Sequence, residues 1–443
     1  MRSATRDTSE YGYDYLSGLL RMEERRTMAN IGRQTGVPEQ NMQHFISQSP
    51  WPERELIAAL QGEIALRREV SEGAMLLLDE SAEEKAGEWS VGAGRQYNGR
   101  RGKVDNSQVG VFLTLAKGTF WTWVDGEVFL PEAWFSPAYA EHRRRVGLPA
   151  ERVFQTKIEL GWQMIQRARA NGLPFEAVAC DTLYGRSVWL RGQMNAADIE
   201  YYADVPANTP VYLSPPVIGY PTTPTGRTAK RPRVLAPRPL PVNYLLDHPD
   251  TCWQTVELRP CERGFLVADF FRIPVWTVDE NLNVRPETLL IRRDPSGRCT
   301  YSLTNAPADT PLPTLARRKS QRYFVERSIQ DAKSELGWDE FQATRFLAWQ
   351  HHLALTILAA WFVAETKLDW VIDHPPDPAL LDDYESDILP ALSMSNVRTL
   401  LRAALPLPQL SIDEAMALVV KHLDNRTRSR KSRLKRRTTH LGP

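Results

Sequence analysis

Two short apolar runs in this chain each stop at an aspartate, and what lies between and after them restricts the fold. AMLLLD ends at Asp79 and AVACD ends at Asp181. Runs of this length and makeup read as strands buried on both faces. Between them, QVGVFLTLAKGTFWTWVDGEVFL (108–130) holds two strand-like runs turned at Lys117–Gly118, and TKIELGWQMIQRARANG (156–172) is a helix closed by Gly172. After Asp181 come another helix, RSVWLRGQMNAA, and a short strand, YYADVP. This order is that of a mixed α/β sheet. Ligands of open α/β sheets bind at the carboxyl ends of the strands, where both aspartates fall. An aspartate after a strand is, by itself, an ordinary turn or cap residue.

The rest of the chain divides around that sheet. With 42% hydrophobic residues, its length supports more than one domain. Residues 1–70 read as a helical domain. Within it, 28–46 has a helix, a break at Gly36–Pro38 and a second helix carrying Met42, Phe45 and Ile46. That pattern suits a helix-turn-helix and equally a plain helical hairpin. The sheet domain begins at 71–205. A proline-rich, β-rich insertion occupies 206–318, entered through a Pro/Arg-rich linker at 221–241. The sheet domain resumes with helices at 319–366, and 367–443 is helical with a basic tail.

Charge and cysteine usage narrow the setting. The net charge is +1, but KHLDNRTRSRKSRLKRR (421–437) and GRTAKRPRVLAPRP (226–239) concentrate cations. Such segments are solvated, and on a near-neutral protein they also mark a polyanion partner. Four cysteines form no CxxC pair, which fits a reducing compartment without structural zinc. No signal peptide is evident, and LALTILAAWFVA (353–364) is too short to span a bilayer and reads as a buried helix. The expectation is a soluble, cytoplasmic protein with no membrane partner.

A third acid joins the two aspartates. In QRYFVERSIQDAKSELGWDEF (321–341), helical spacing sets Arg322, Glu326 and Lys333 within roughly 40° of one another, beside a stripe of Val325, Ile329, Ala332 and Leu336. Alone this is an ordinary charge pattern of a solvated helix face. Together, Asp79, Asp181 and Glu326 offer only oxygen ligands, which suit Mg²⁺ or Mn²⁺ rather than zinc. Two such ions activate a water or 3′-hydroxyl and stabilise the departing oxygen of a phosphodiester. Arg322 and Lys333 are then left to hold phosphates. Among competing acids, Asp331 and Glu335 lie about 140° and 180° round the helix from Glu326, and Glu80 alternates away from Asp79. Asp105 reads as a turn acid. Arg95, Arg100, Arg101 and Lys103 form a basic loop whose glycines permit close backbone approach, so phosphate contact is expected there. Trp253 and Trp276 read as core, with base stacking as the alternative. His351 and His352, in an apolar helix, read as packing or capping residues.

These residues resemble the DDE transposases of bacterial insertion sequences, most closely the insertion sequence 701 group, related to those with a Tyr-Arg-Glu-Lys helix signature. The resemblance spans about 25–365 and is carried by LLLDES, GAGRQYNGRRGKVDNSQVGVFL, LPEAWF, CDTLYG and VERSIQDAKSELGWDEF. Arg322, Glu326 and Lys333 match the signature, but Lys319 stands at its tyrosine position, leaving that role unfilled unless Tyr323 takes it over. The resemblance implies a ribonuclease-H-like catalytic domain interrupted by the insertion, and a DNA-binding role for the helical front. It further implies metal-dependent cleavage and strand transfer at terminal inverted repeats, with double-stranded terminal-repeat and target DNA as partners. A homodimer in the synaptic complex and association with the bacterial nucleoid belong to the same expectation. A catalytically retired, DNA-binding descendant is the alternative; a plain ribonuclease-H-type nuclease would need neither the helical front nor the insertion.

Overall fold

A computed structural model describes residues 7–404 except 24, 100, 223–227, 250, 262–263, 342–343 and 374–392, and parts of 411–431. The basic tail at 421–437 lies outside the described residues apart from scattered positions before 432.

Four helices lead: α1 (Ser9–Arg21), α2 (Met28–Thr35), α3 (Glu39–Ser47) and α4 (Glu53–Ala65). The Thr27 side chain caps α2 by accepting from the Asn30 N–H, and Gly36, with φ +79°, ends it. Met42, Phe45 and Ile46, spaced three and four apart, are all buried in α3.

The sheet follows. Its first strands are β1 (Met75–Glu84), β2 (Gly94–Asn98), β3 (Lys103–Lys117) and β4 (Phe120–Phe129). After α5 (Ala140–Val146) and α6 (Lys157–Ala170) come β5 (Ala177–Cys180), α7 (Thr182–Gly185), α8 (Val188–Ala196) and β6 (Glu200–Val205). β1, β5 and β6 run parallel, while β3 pairs antiparallel with β1, β2 and β4. This is the mixed sheet that the strand order implied.

The insertion begins with four short strands, from β7 (Pro210–Val211) through β8 (Val217–Gly219) and β9 (Arg233–Ala236) to β10 (Leu240–Pro241). It continues in β11 (Gln254–Cys261), β12 (Gly264–Val278), β13 (Val284–Arg293) and β14 (Cys299–Thr304). These last four do not form a separate sheet. β14 pairs antiparallel with β6, so the order runs β11-β12-β13-β14-β6-β5-β1-β3-β2, with β4 on β3 as the tenth strand of one sheet. One face of the added strands joins the main core; the other has a small core of its own with Val211, Val242 and Leu245.

The chain then forms α9 (Leu312–Ser320) and α10 (Tyr323–Ser334), so the helical pattern expected from 319 is divided at Gln321–Arg322. α11 (Phe346–Asp373) and α12 (Met394–Ala404) complete the described fold. α11 is longer than its apolar run and is long and apolar enough to cross a membrane, yet 78% of its most apolar window is buried inside the protein. α1, α3, α4, α12 and β4 pack around it. Front helices, sheet and α11 therefore share one continuous core.

Candidate active site

The register of the parallel strands builds the site. Leu78 pairs with Cys180, and Cys180 pairs with Ala203. Asp79, Asp181 and Asp204 each stand one residue past that row on adjacent strands. Asp181 follows the end of β5, but β1 continues along β3 to Glu84, so Asp79 lies within its strand and not at the strand end that its apolar run suggested. Thr114 on β3 pairs with Leu77, and its hydroxyl meets Ser328 of α10 at 2.9 Å. Side chains alternate along a strand, so Asp79, two residues on from Leu77, faces α10. Glu80 takes the opposite face and receives Lys157 of α6 at 2.8 Å.

Asp79, Asp181 and Glu326 line one cleft of about 1230 Å³, together with Lys333, Lys157 and Arg186. Burial and the neighbouring Asp181 push the Asp79 carboxyl up to about 7, against the opposing pull of the Glu80 N–H and Arg322. Asp181 is raised as well, by burial and then by Glu80. Its Oδ1 accepts from the Leu183 N–H at 2.9 Å and the Tyr184 N–H at 3.4 Å, so it does cap a helix while lining the cleft. Gly185 closes this turn against β6: a Cβ there would stand 2.0 Å from the Asp204 carbonyl oxygen. The glycine of CDTLYG is thus required by close packing.

Glu326 sits in the first turn of α10, exposed, and accepts from Arg322 Nη2 at 3.0 Å. Arg322 also reaches Asp204 through Nε at 3.1 Å and lies 3.9 Å from Asp79. Burial disfavours its charge, but Asp204, Asp79, Glu326 and Asp181 together outweigh that and raise its pKa. Lys333 faces the cleft but is ion-paired with Glu83 of β1. Among the described residues, no three His, Cys, Asp or Glu side chains already form a metal cage.

Asp204 was not singled out by the sequence. It accepts from Ser302 Oγ at 2.5 Å and from Lys319 Nζ at 2.9 Å. Burial opposes its ionisation, but Lys319 and Arg322 prevail and hold it below the usual carboxylate range. Lys319 is therefore buried on a strand acid. Tyr323 is exposed, with its ring under the Arg259 guanidinium at 4.3 Å, and is not among the cleft residues. The sequence carried one signal for Asp204: YYADVP, like AVACD, ends a short apolar run in an acid.

Asp331 and Glu335 point away as their spacing requires, whereas Glu80, though on the opposite face of β1 from Asp79, also lines the cleft. Asp331 pairs with Arg327 at 3.0 Å and Glu335 with Arg398 at 2.6 Å. Asp105 pairs with Arg101 at 3.3 Å and Lys103 at 3.6 Å in the β2–β3 hairpin, and Arg101 also meets Glu84 at 2.9 Å. Arg95 is exposed on β2; Arg100 lies outside the described residues. Tyr97 and Gly99 of the same hairpin line the cleft, so the basic loop borders it. Trp253 packs on Phe271 with Arg293 across its ring. His351 stacks on Trp51 at 3.8 Å, and His352 on Phe341 at 4.2 Å.

Residues 2–263 match the family described as "DDE superfamily endonuclease". That span includes Asp79 and Asp181 and ends before Glu326. Over 329 residues, 73% of this chain and 74% of the relative, the sequence is 24% identical to a protein of Microchaete diplosiphon named "Probable transposase for insertion sequence element IS701".

Proposed function

Because the chain belongs to the DDE superfamily of endonucleases, we propose that the cleft beside the middle of β1 and the end of β5 is the active site of an insertion-sequence transposase. Asp79, Asp181 and Glu326 are its three acids. The protein is a transposase that cleaves DNA and joins strands, and its substrates in this reading are the terminal inverted repeats of its element and target DNA. The observation that carries the assignment is the register of Leu78 with Cys180, which puts two acids side by side at one mouth of the sheet, across from the Glu326 helix.

The donor set fits a hard divalent cation. All three side chains offer oxygen only, and the neighbouring Asp79 and Asp181 carboxylates repel one another, a repulsion a cation relieves. These residues would hold two Mg²⁺ ions, or Mn²⁺ in their place. Such ions supply Lewis-acid activation of the attacking oxygen and stabilisation of the leaving one. The chain's own cations do the rest. Arg322, which already spans Asp204, Glu326 and Asp79, turns donors to the phosphate at the cleft. Lys333 exchanges Glu83 for a phosphate oxygen, and Arg95, Arg100, Arg101 and Lys103 track the flanking backbone. The helical front and the insertion read the repeat, and two copies of the chain assemble on paired ends.

Purified protein is given duplexes carrying the element's end, with Mg²⁺ or Mn²⁺. Asp181→Asn and Glu326→Gln are expected to lose cleavage by about 10³-fold or more while still binding the duplex. Cleavage that survives in Asp181→Asn would sink the assignment. An unaltered chain that binds ends but never cuts them would favour the retired, regulatory reading.

A further inference from the structure

Beyond the cleft, a row of cations continues along the same mouth of the sheet. On β13, Arg292 pairs with Thr300 of β14, one row beyond the Tyr301–Val205 pair that ends β6. The next residue after Val205, Pro206, lines the cleft. The Arg292–Thr300 row therefore lies level with the cleft mouth. Leu290 pairs with Ser302 and Ser302 with Asp204, so alternation sets Arg292 on the face that carries Asp204, Lys319 and Arg322. From β11, Arg259 covers Tyr323 and Phe324, the two residues after Arg322, at 4.3 and 5.6 Å.

Two donors in this row lack an acceptor. Arg292 Nε and Thr300 Oγ1 are both buried with no hydrogen-bond partner. Neither Arg292 nor Arg259 makes an ion pair among the described residues. Burial depresses the Arg292 pKa, and Arg259 and Arg322 depress it further, beyond what Asp294 and Asp204 restore. A fold does not ordinarily keep buried donors unpaired and like charges together without a ligand. Its chemistry is that of a dianion or monoanion rich in oxygen acceptors.

We propose that Arg292, Thr300 and Arg259, with Arg322, form a phosphate site that takes a DNA backbone phosphate next to the one at the acids. The site rests on the transposase reading above and extends it across the insertion. The insertion thereby grips the strand that leaves the cleft.

The full-length chain is tested as Asp181→Asn, so that binding is read without cutting. To it are added Arg292→Ala, Arg292→Lys or Thr300→Val, and Arg298→Ala as an exposed control in the same hairpin. Binding of an end duplex is followed by fluorescence anisotropy across a salt series. Arg292→Ala should weaken binding about tenfold and lower the slope of log K against log salt by about 0.9, while Arg298→Ala leaves both unchanged. Arg292→Lys should keep the slope but lose part of the affinity. Without DNA, Arg292→Ala should melt no lower than its parent, because it removes a half-buried, unpaired cation whose Nε has no acceptor. A lower melting temperature with an unchanged salt slope would make Arg292 a structural residue and overturn the proposal. Micromolar binding of inorganic phosphate, lost in Arg292→Ala while DNA binding stands, would assign the site to free phosphate and equally overturn it. Absence of DNA binding by the unaltered chain would instead overturn the function itself and this site with it.

Discussion

At the residue scale, Asp79 is the group whose chemistry is most altered by its position. Its carboxyl titrates near 7 in the fold and near the ordinary 3.8 when unfolded. Between those values the folded chain holds a proton that the unfolded chain has released, so stability falls as pH rises from about 4 to 7. Asp79→Asn should flatten that slope and stabilise the metal-free protein at pH 8 by of order 2–4 kcal/mol. Thermal melts of both proteins from pH 4 to 8 check this; parallel curves would refute it. Mg²⁺ should also raise the melting temperature of the unaltered chain more at pH 8 than at pH 5.5, since the ion competes with that proton. Gly185→Ala is a second case. With backbone 2.0 Å from the new Cβ, it should cost about 3 kcal/mol or more and displace Asp204, read as a lower midpoint in urea. Asp79 and Asp181 were legible as cleft residues because each ends an apolar run, and Glu326 because it lies in the first turn of an amphipathic helix, although β1 itself runs on past Asp79 to Glu84. Asp204 has the same local signature, yet what distinguishes it is Lys319, 115 positions away, a pairing that no local pattern carries.

At the element scale, periodicity told strands from helices well and told little of their neighbours. β12 coincides with the run GFLVADFFRIPVWTV, and α6 with the helix before Gly172. The pairing of β14 with β6 was not legible, because β6 offers its edge equally to any strand of matching pattern, and register is settled only in the assembled sheet. The boundaries of the expected domains were blurred for the same reason. The link between the front helices and α10 is likewise tertiary. Arg26 is buried, donates to the Met22 and Glu23 carbonyls, and pairs at 3.1 Å with Glu340, which lines the cleft. Arg398 donates to the Leu20 carbonyl at 3.0 Å and pairs with Glu335. Together they fasten the end of α1 to the segment following α10. Arg26→Ala should cost about 3–5 kcal/mol, since it strands a partly buried Glu340, and this is measurable as a lower melting temperature. On α3, Met42, Phe45 and Ile46 face inward while Gln40, Gln43 and His44 are exposed, as a helix laid in a groove requires. Gln40→Ala with Gln43→Ala should reduce preference for the terminal repeat over random duplex by about tenfold without altering stability. Equal loss on both duplexes would remove α3 from the reading of sequence.

At the scale of the whole molecule, the front helices and the sheet are packed into one core rather than tethered as separate bodies. Deleting residues 1–70 should therefore uncover the apolar flank of α11 and yield insoluble protein, whereas removal of an independent module would leave a soluble, cooperatively melting remainder. Truncation after about residue 420 is expected to do neither. It should weaken binding to all duplexes alike and lower the salt slope by about 0.9 per lost phosphate contact, because Lys and Arg contacts to phosphate carry no base information. The dependence of α1–α4 on α11 also has a consequence for synthesis. As the chain leaves the ribosome, α4 can settle on β4, which Arg54 and Gln61 already reach, but the surface that α1 and α3 share comes with α11, nearly 300 residues later, and Glu326 arrives only shortly before. Chains stopped early should thus lack both Glu326 and the surface that holds α1 and α3 in place.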